Sequence, residues 1–363
     1  MFESLYIHVP FCAAKCAYCA FYSIRPDAQM RRAYLARLQE ELLEHAPQCG
    51  ELRSIFIGGG TPSILTPEEW EPVFSLIRRS FRLSPECEWS VEANPESLTA
   101  SLIRFFAEQG VTRISVGVQA FQEPLRRIIG RNGSLERLPE IADALRACAV
   151  PDFNLDLIFN IPGQTPEDWA ESLEKALALK PTHLSAYALT LEEGTRLAET
   201  LTPPSDDDFI TFWDMTDEAL AQRGLKRYEI SNFALPGHEC RHNLEIWKGG
   251  TYLGCGPAAA SFDGVNRRSN PASLAAWLDK QPPETDVLPP EERACEILAF
   301  GLRMTAGWQW KTFRERTRMD PLELRGDRLQ ELVDRGLLEW TPGGIRPTRR
   351  GLLFNDDVAM ALL

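Results

Sequence analysis

The chain has 363 residues, 44% hydrophobic and 25% charged, with 24 Gly and 26 Pro scattered along it. That supports a packed core and excludes a collagen-like or low-complexity chain. A net charge of -13 opposes broad attraction to nucleic acid or an anionic membrane. The start, Met1-Phe2-Glu3-Ser4-Leu5, has no basic leader, and no 18 uncharged apolar residues run together, so a cytoplasmic protein with reduced cysteines is expected.

In chain order, strands are predicted at Leu5–Val9, Ser54–Ile57, Trp89–Glu92, Arg113–Val118, Asn154–Phe159 and His183–Leu189. Amphipathic helices are predicted between them, over Arg31–Glu44, Pro67–Phe81, Thr99–Gln109, Leu135–Cys148 and Pro166–Leu179, several opened by Ser, Thr or Pro. Six βα units without a Rossmann glycine fingerprint after the first strand predict an α/β fold, an incomplete (β/α)6 barrel over residues 1–201. Function is then expected at the carboxyl ends of the strands.

From Thr202 the pattern changes. Pro203-Pro204 and Asp206-Asp207-Asp208 open a helical stretch to Gly224, followed by Tyr228–Phe233 and a Gly-rich segment, Gly249–Gly256, in an extension over 202–280. A Pro-rich linker, Gln281–Pro290, leads into a mainly helical, winged-helix-like domain over 281–363. Its Arg314, Arg316, Arg318, Arg325 and Arg328 are interleaved with Glu315, Asp320, Glu323 and Asp327, which favours a salt-bridged surface over a nucleic-acid reader.

Cys12, Cys16 and Cys19 share one loop after the first strand, while Cys49, Cys87, Cys148, Cys240, Cys255 and Cys295 are scattered and read as small core residues. Three thiolates hold three irons of a 4Fe-4S cluster and leave the fourth iron to a chelating ligand. The alternatives are zinc, which needs a fourth ligand such as His8, and coincidental thiols.

The CxxxCxxC spacing resembles radical S-adenosylmethionine (SAM) enzymes. The surrounding strings, Tyr6 to Phe21, GGGTPS from Gly58, SVEANPE from Ser90, RISVGVQAF from Arg113 and DLIFNIPGQT from Asp156, resemble the oxygen-independent coproporphyrinogen III oxidase family. The resemblance implies a cluster on the three cysteines, with SAM cleaved by one electron from a reductant to a 5'-deoxyadenosyl radical. It places Tyr6, Tyr18, Gly59, Gly60, Thr61 and Glu92 around SAM, and Gln119, Arg131 and Asp156 around a second SAM. Read without it, Tyr6 is a strand aromatic, the glycines make a strand-to-helix turn and Arg131 is a solvated helix end. Asp156, inside the apolar run Leu155–Ile161, needs partners in any reading.

Two departures from the oxidases resemble the HemW-type heme chaperone branch: Phe21 stands where they usually carry a further cysteine, and the first strand begins near Leu5. The segment Arg241-His242-Asn243-Leu244-Glu245-Ile246-Trp247 resembles the HNxxYW motif of that branch, with Ile246 in place of the aromatic. The implied function is binding heme and delivering it to recipient hemoproteins such as respiratory cytochromes, those at the membrane included. The alternative is oxidative decarboxylation of coproporphyrinogen III. His242, in a predicted loop, is the first candidate heme ligand, with Cys240 and His238 nearby; the other reading is a loop histidine capping backbone groups.

Overall fold

The computed structural model describes residues 1–200 and 206–363, so the expected change of pattern at 201/202 and Pro203-Pro204 lie outside the described residues. Six parallel strands form the centre of one sheet: β1 (Phe2–Val9), β2 (Cys49–Gly59), β3 (Arg82–Ala93), β4 (Arg113–Gln119), β5 (Asp152–Phe159) and β6 (His183–Ala188), in that spatial order.

Side chains alternate across each strand. Leu5, Ile7 and Val9 of β1, Ile55 and Ile57 of β2, Trp89 and Val91 of β3, Ile114 and Val116 of β4, Leu155 of β5 and Leu184 of β6 enter one core with Trp70, Phe74, Phe106 and Trp169 from the covering helices. Apart from Phe56, the alternate positions are mostly polar or small: Ser4, Tyr6, His8, Ser54, Gly58, Glu88, Glu92, Arg113, Ser115, Gly117, Asn154, Asp156, His183 and Ser185. An open barrel with such a lining has an interior equipped for polar ligands.

The helices start where the sequence signals them. Thr66 and Thr165 form capping boxes with Glu69 and Asp168, and Thr99 accepts the Leu102 N–H.

Among the described residues the sheet exceeds the predicted six strands and reaches twelve. The Gly-rich segment supplies Tyr252–Cys255, which pairs parallel with β1, and Ala260–Phe262, Arg267–Ser269 and Glu284–Asp286 follow antiparallel. The expected linker is therefore partly an edge strand. On the opposite edge, Asn232–Ala234 pairs antiparallel with β6.

Helices Pro290–Gly301, Trp310–Thr317 and Pro321–Asp334, with the hairpin Leu338–Thr341 and Gly344–Pro347, enclose a second core around Trp308, Phe313, Leu329 and Ile345. Four of the five interleaved arginines there are engaged: Arg314 with Asp320, Arg316 with Glu245, Arg328 with Glu331, and Arg325 with the Leu362 and Leu363 carbonyls. Among the described residues, no helix is long and apolar enough to cross a membrane.

Candidate cofactor site and the polar interior of the barrel

The cysteine loop leaves β1 at its carboxyl end and is tied down at both base and tip. At the base, the Cys12 N–H donates to the Ile24 carbonyl at 3.0 Å and the Ile24 N–H to Pro10 at 2.8 Å. At the tip, the Ala17 N–H donates to Ile129 at 3.0 Å and its carbonyl accepts from Leu197 at 2.9 Å. Gly130 makes the second contact possible. Its φ is +75°, and a Cβ there would lie 2.8 Å from the Ala17 nitrogen.

Cys12, Cys16 and Cys19 are all partly exposed on this loop. The Thr61 hydroxyl donates to the Cys12 sulfur at 3.5 Å. Burial pushes the Cys16 thiol up, against the pull of the Arg131 guanidinium. Arg131 is also hydrogen-bonded with Tyr18. Among the described residues, no three His, Cys, Asp or Glu side chains stand grouped around a metal position. The donor chemistry fits an iron-sulfur cluster: three thiols on one loop beside a fixed cation. The scattered cysteines are buried at 49, 240, 255 and 295 and half-buried at 87 and 148.

Gly58 and Gly59 end β2, and Gly60 and Thr61 follow it beside this loop. The Gly60 and Thr61 N–H groups donate to Val9 and Phe11 at 2.8 and 2.7 Å, and the Gly59 N–H to Glu92 Oε2 at 3.0 Å. Gly59 has φ +100°, and a Cβ there would meet the His8 ring at 2.5 Å. His8 Nε2 faces the Tyr22 carbonyl at 3.0 Å, so it carries the proton and Nδ1 accepts from the Tyr6 hydroxyl at 3.0 Å. Burial keeps that imidazole neutral, and burial together with the Glu92 charge holds Tyr6 protonated.

Glu92 is pushed up to about 8 by burial and then by the charge of Asp156. Asp156 is also pushed up by burial, although Ser115 donates to it at 2.8 Å and Asn154 at 2.8 Å. Two half-buried carboxylates facing one interior suit a cationic ligand, which would repay their desolvation. Gln119 sits at a register shift between β4 and β5 with φ +71°, an uncommon conformation that re-aims its side chain. A Cβ on Gly117 would lie 3.0 Å from the Gln119 amide and 3.1 Å from the Arg131 guanidinium, so its absence leaves both room. Arg126, buried, holds the segment carrying Arg131 through the Val118 and Gly133 carbonyls.

Tyr6, Tyr18, Gly59, Gly60, Thr61, Glu92, Gln119, Arg131 and Asp156 are thus brought to the rim and interior at the carboxyl ends of the strands, with the three cysteines. His242 is not. The predicted loop is the helix Arg241–Trp247, and His242 is 2% exposed, stacked on Phe56 with Nδ1 2.8 Å from Ser54 Oγ. Burial lowers its pKa to about 3. It packs inside the barrel as a neutral side chain, not on an accessible loop. His238, half-exposed, is bonded to Asp152, and Cys240 is buried against Glu88.

Glu88 explains the helix. Its carboxylate accepts the Arg241 and His242 N–H groups, each at 2.9 Å, while Arg113 stands 3.8 Å away. A buried chain of bonds then leads from Asp156 through Asn154 to His183, from His183 to the Tyr228 hydroxyl at 2.8 Å, and from there to the Cys240 N–H at 3.2 Å. Sequence reasoning missed Glu88, His183 and Tyr228; their only signal was a polar group at an inward position of a strand or just beyond one. Tyr187, at the end of β6 and hydrogen-bonded with Ser185, was missed for the same reason.

Residues 6–176 match the radical SAM superfamily model and residues 288–354 the HemN C-terminal domain model. The chain is 32% identical to heme chaperone HemW of Bacillus subtilis, covering 99% of both chains. It is 32% identical to that of Lactococcus lactis, over 98% of this chain and 96% of the relative. A solved structure of coproporphyrinogen III oxidase from Escherichia coli, a radical SAM enzyme, superposes with a TM-score of 0.85 at 23% identity, covering 99% of this chain and 89% of that one. That likeness is one of fold.

Proposed function

The chain belongs to the HemW family of radical SAM proteins, and from that premise we propose that it is a heme chaperone that holds a 4Fe-4S cluster, binds SAM and carries heme to recipient hemoproteins. Similarity to heme chaperones along almost the whole of both chains carries this reading. Cluster and SAM together supply a reductively cleavable sulfonium when bound.

Cys12, Cys16 and Cys19 would hold the cluster, with the Thr61 hydroxyl bonded to one sulfur and Arg131 offsetting thiolate charge. Gly59, Gly60 and Thr61 present backbone at close range to the rim, and Glu92 offers an acceptor for an ammonium group. Tyr6, Tyr18, Gln119 and Asp156 line the adjoining space, where Asp156 and Arg131 provide opposite charges for an amino acid's two ends. The cytoplasm suits the reduced thiols and a reductant for the cluster; recipient hemoproteins, including those at the membrane, are the remaining partners of this reading.

Anaerobically reconstituted protein is expected to bind hemin and pass it to an apo-hemoprotein, with a change in the Soret band on transfer. Failure to bind hemin at stoichiometric protein rejects the reading. Conversion of coproporphyrinogen III to protoporphyrinogen in the presence of SAM and reductant would establish the oxidase reading instead.

A further inference from the structure

The HNxxYW-like helix ends at an open groove. Its last residues, Ile246 and Trp247, form one wall, Tyr252 and Phe262 of the edge strands a second, and Phe300 with Arg303 a third; the cavity is about 280 Å3. It lies outside the cofactor rim. Four aromatic side chains and two arginines, Arg303 and Arg267, face it, and no acidic residue does.

The arginines are fixed without being equally consumed. Arg267 spends both terminal nitrogens on Glu296 at 3.0 and 2.9 Å. Arg303 donates once to Glu229 at 3.2 Å, but that carboxylate also accepts from the Ser231 N–H at 2.8 Å and from Asn232 at 2.6 Å. The Arg303 guanidinium lies 5.1 Å from the Trp247 ring centre, and its Nε is buried with no hydrogen-bond partner. A guanidinium that is 31% exposed and spends one hydrogen bond on a shared carboxylate keeps terminal donors for a ligand carboxylate in the groove. Phe300, 46% exposed, leaves an apolar face uncovered opposite it.

We propose that this groove, and not the His242 imidazole, seats the heme of the chaperone reading on which this inference rests: a flat aromatic macrocycle lies against Trp247 and Phe300, with a propionate at Arg303. A cavity at the small end of ligand sites takes one edge of the ring and leaves the other exposed, as release to a recipient requires. Recognition is by ring face and carboxylate, so it does not need the iron. The exchange at Ile246 then replaces an aromatic wall residue by an aliphatic one.

The test is titration of the full chain with hemin and with metal-free protoporphyrin IX, comparing Phe300→Glu and Phe300→Ala with Leu43→Glu. Leu43 is 53% exposed on the distant helix Ala28–His45. Both ligands are expected to bind wild type with similar affinity, and Phe300→Glu to weaken both by about tenfold, a change of about 1.4 kcal/mol. Phe300→Ala weakens them less, and Leu43→Glu leaves them within about twofold. Unchanged melting temperatures exclude unfolding as the cause.

If neither Phe300 variant alters binding, or if hemin binds and protoporphyrin does not, the groove assignment is overturned while the chaperone reading stands. If wild type binds neither ligand, both fall together.

Discussion

Gly130→Ala tests whether the cysteine loop is held by its contact with the segment after β4. Two costs follow from the structure. A non-glycine residue at φ +75° costs about 1–2 kcal/mol. The new Cβ also falls 2.8 Å from the Ala17 nitrogen, closer than van der Waals contact allows, and displacing Ala17 breaks its 3.0 Å bond to Ile129, worth about 0.5–1.5 kcal/mol. The total of about 1.5–3.5 kcal/mol is concentrated on the residue between Cys16 and Tyr18, so the loop yields before the sheet does.

Gly110→Ala is the matched control. Its φ is +88°, but nothing lies within 4 Å of its Cβ position, so it carries the backbone cost alone. The assay is iron and sulfide content after anaerobic reconstitution, with thermal unfolding alongside. Gly130→Ala should incorporate less than about half the wild-type iron, whereas Gly110→Ala should incorporate it fully and lower the melting temperature by about 1–3 °C. Equal iron in the two variants would refute the claim that Gly130 positions the ligands.

Cys12→Ala, Cys16→Ala and Cys19→Ala should each abolish the broad iron-sulfur absorbance, while Cys87→Ala keeps it; retained iron and sulfide in all three would reject the ligand set. Glu92 holds its proton in the folded state to about pH 8 against 4.5 ordinarily, so its contribution to stability is full below about 4.5 and lost as pH rises through 8. Glu92→Gln should flatten the fall in denaturant-measured stability between pH 6 and 8, and an unchanged slope would show that Glu92 is ionised there. His242→Ala removes a buried ring stacked on Phe56 and bonded to Ser54, at an expected cost of about 2–4 kcal/mol in chemical denaturation; a cost below about 0.5 kcal/mol would contradict its place in the core. Glu88→Gln should loosen the helix Arg241–Trp247, seen as faster amide exchange at Arg241 and His242, because the charged cap of both N–H groups is lost.

Much of the chemistry was legible because it is local in the chain. Three thiols within eight residues of one loop must end up together whatever the rest of the fold does, and strand-end strings such as Gly58-Gly59-Gly60-Thr61 lie at one rim once the strands are parallel. Capping residues at Thr66, Thr99 and Thr165 made the covering helices readable for the same reason, since donor and acceptor are three residues apart. Asp156 announced itself as a carboxylate in an apolar strand, although its partners Ser115 and Asn154 became visible only when β4 and β5 were paired.

Other features depend on residues far apart in sequence. Tyr252–Cys255 lies in a Gly-rich stretch with the composition of a loop, and it becomes a strand because β1 offers it an unpaired edge. The helix Arg241–Trp247 has no side-chain cap of its own; Glu88, some 150 residues earlier, supplies one, and the same closure draws His242 into the barrel, away from where an isolated motif would place it. The groove beside Trp247 needs the extension, the sheet edge and the C-terminal helix at once. Composition and spacing determined which atoms could act as ligands; solvent access, and therefore which of them a ligand can reach, was decided by non-local packing, because burial depends on neighbours that sequence distance does not rank.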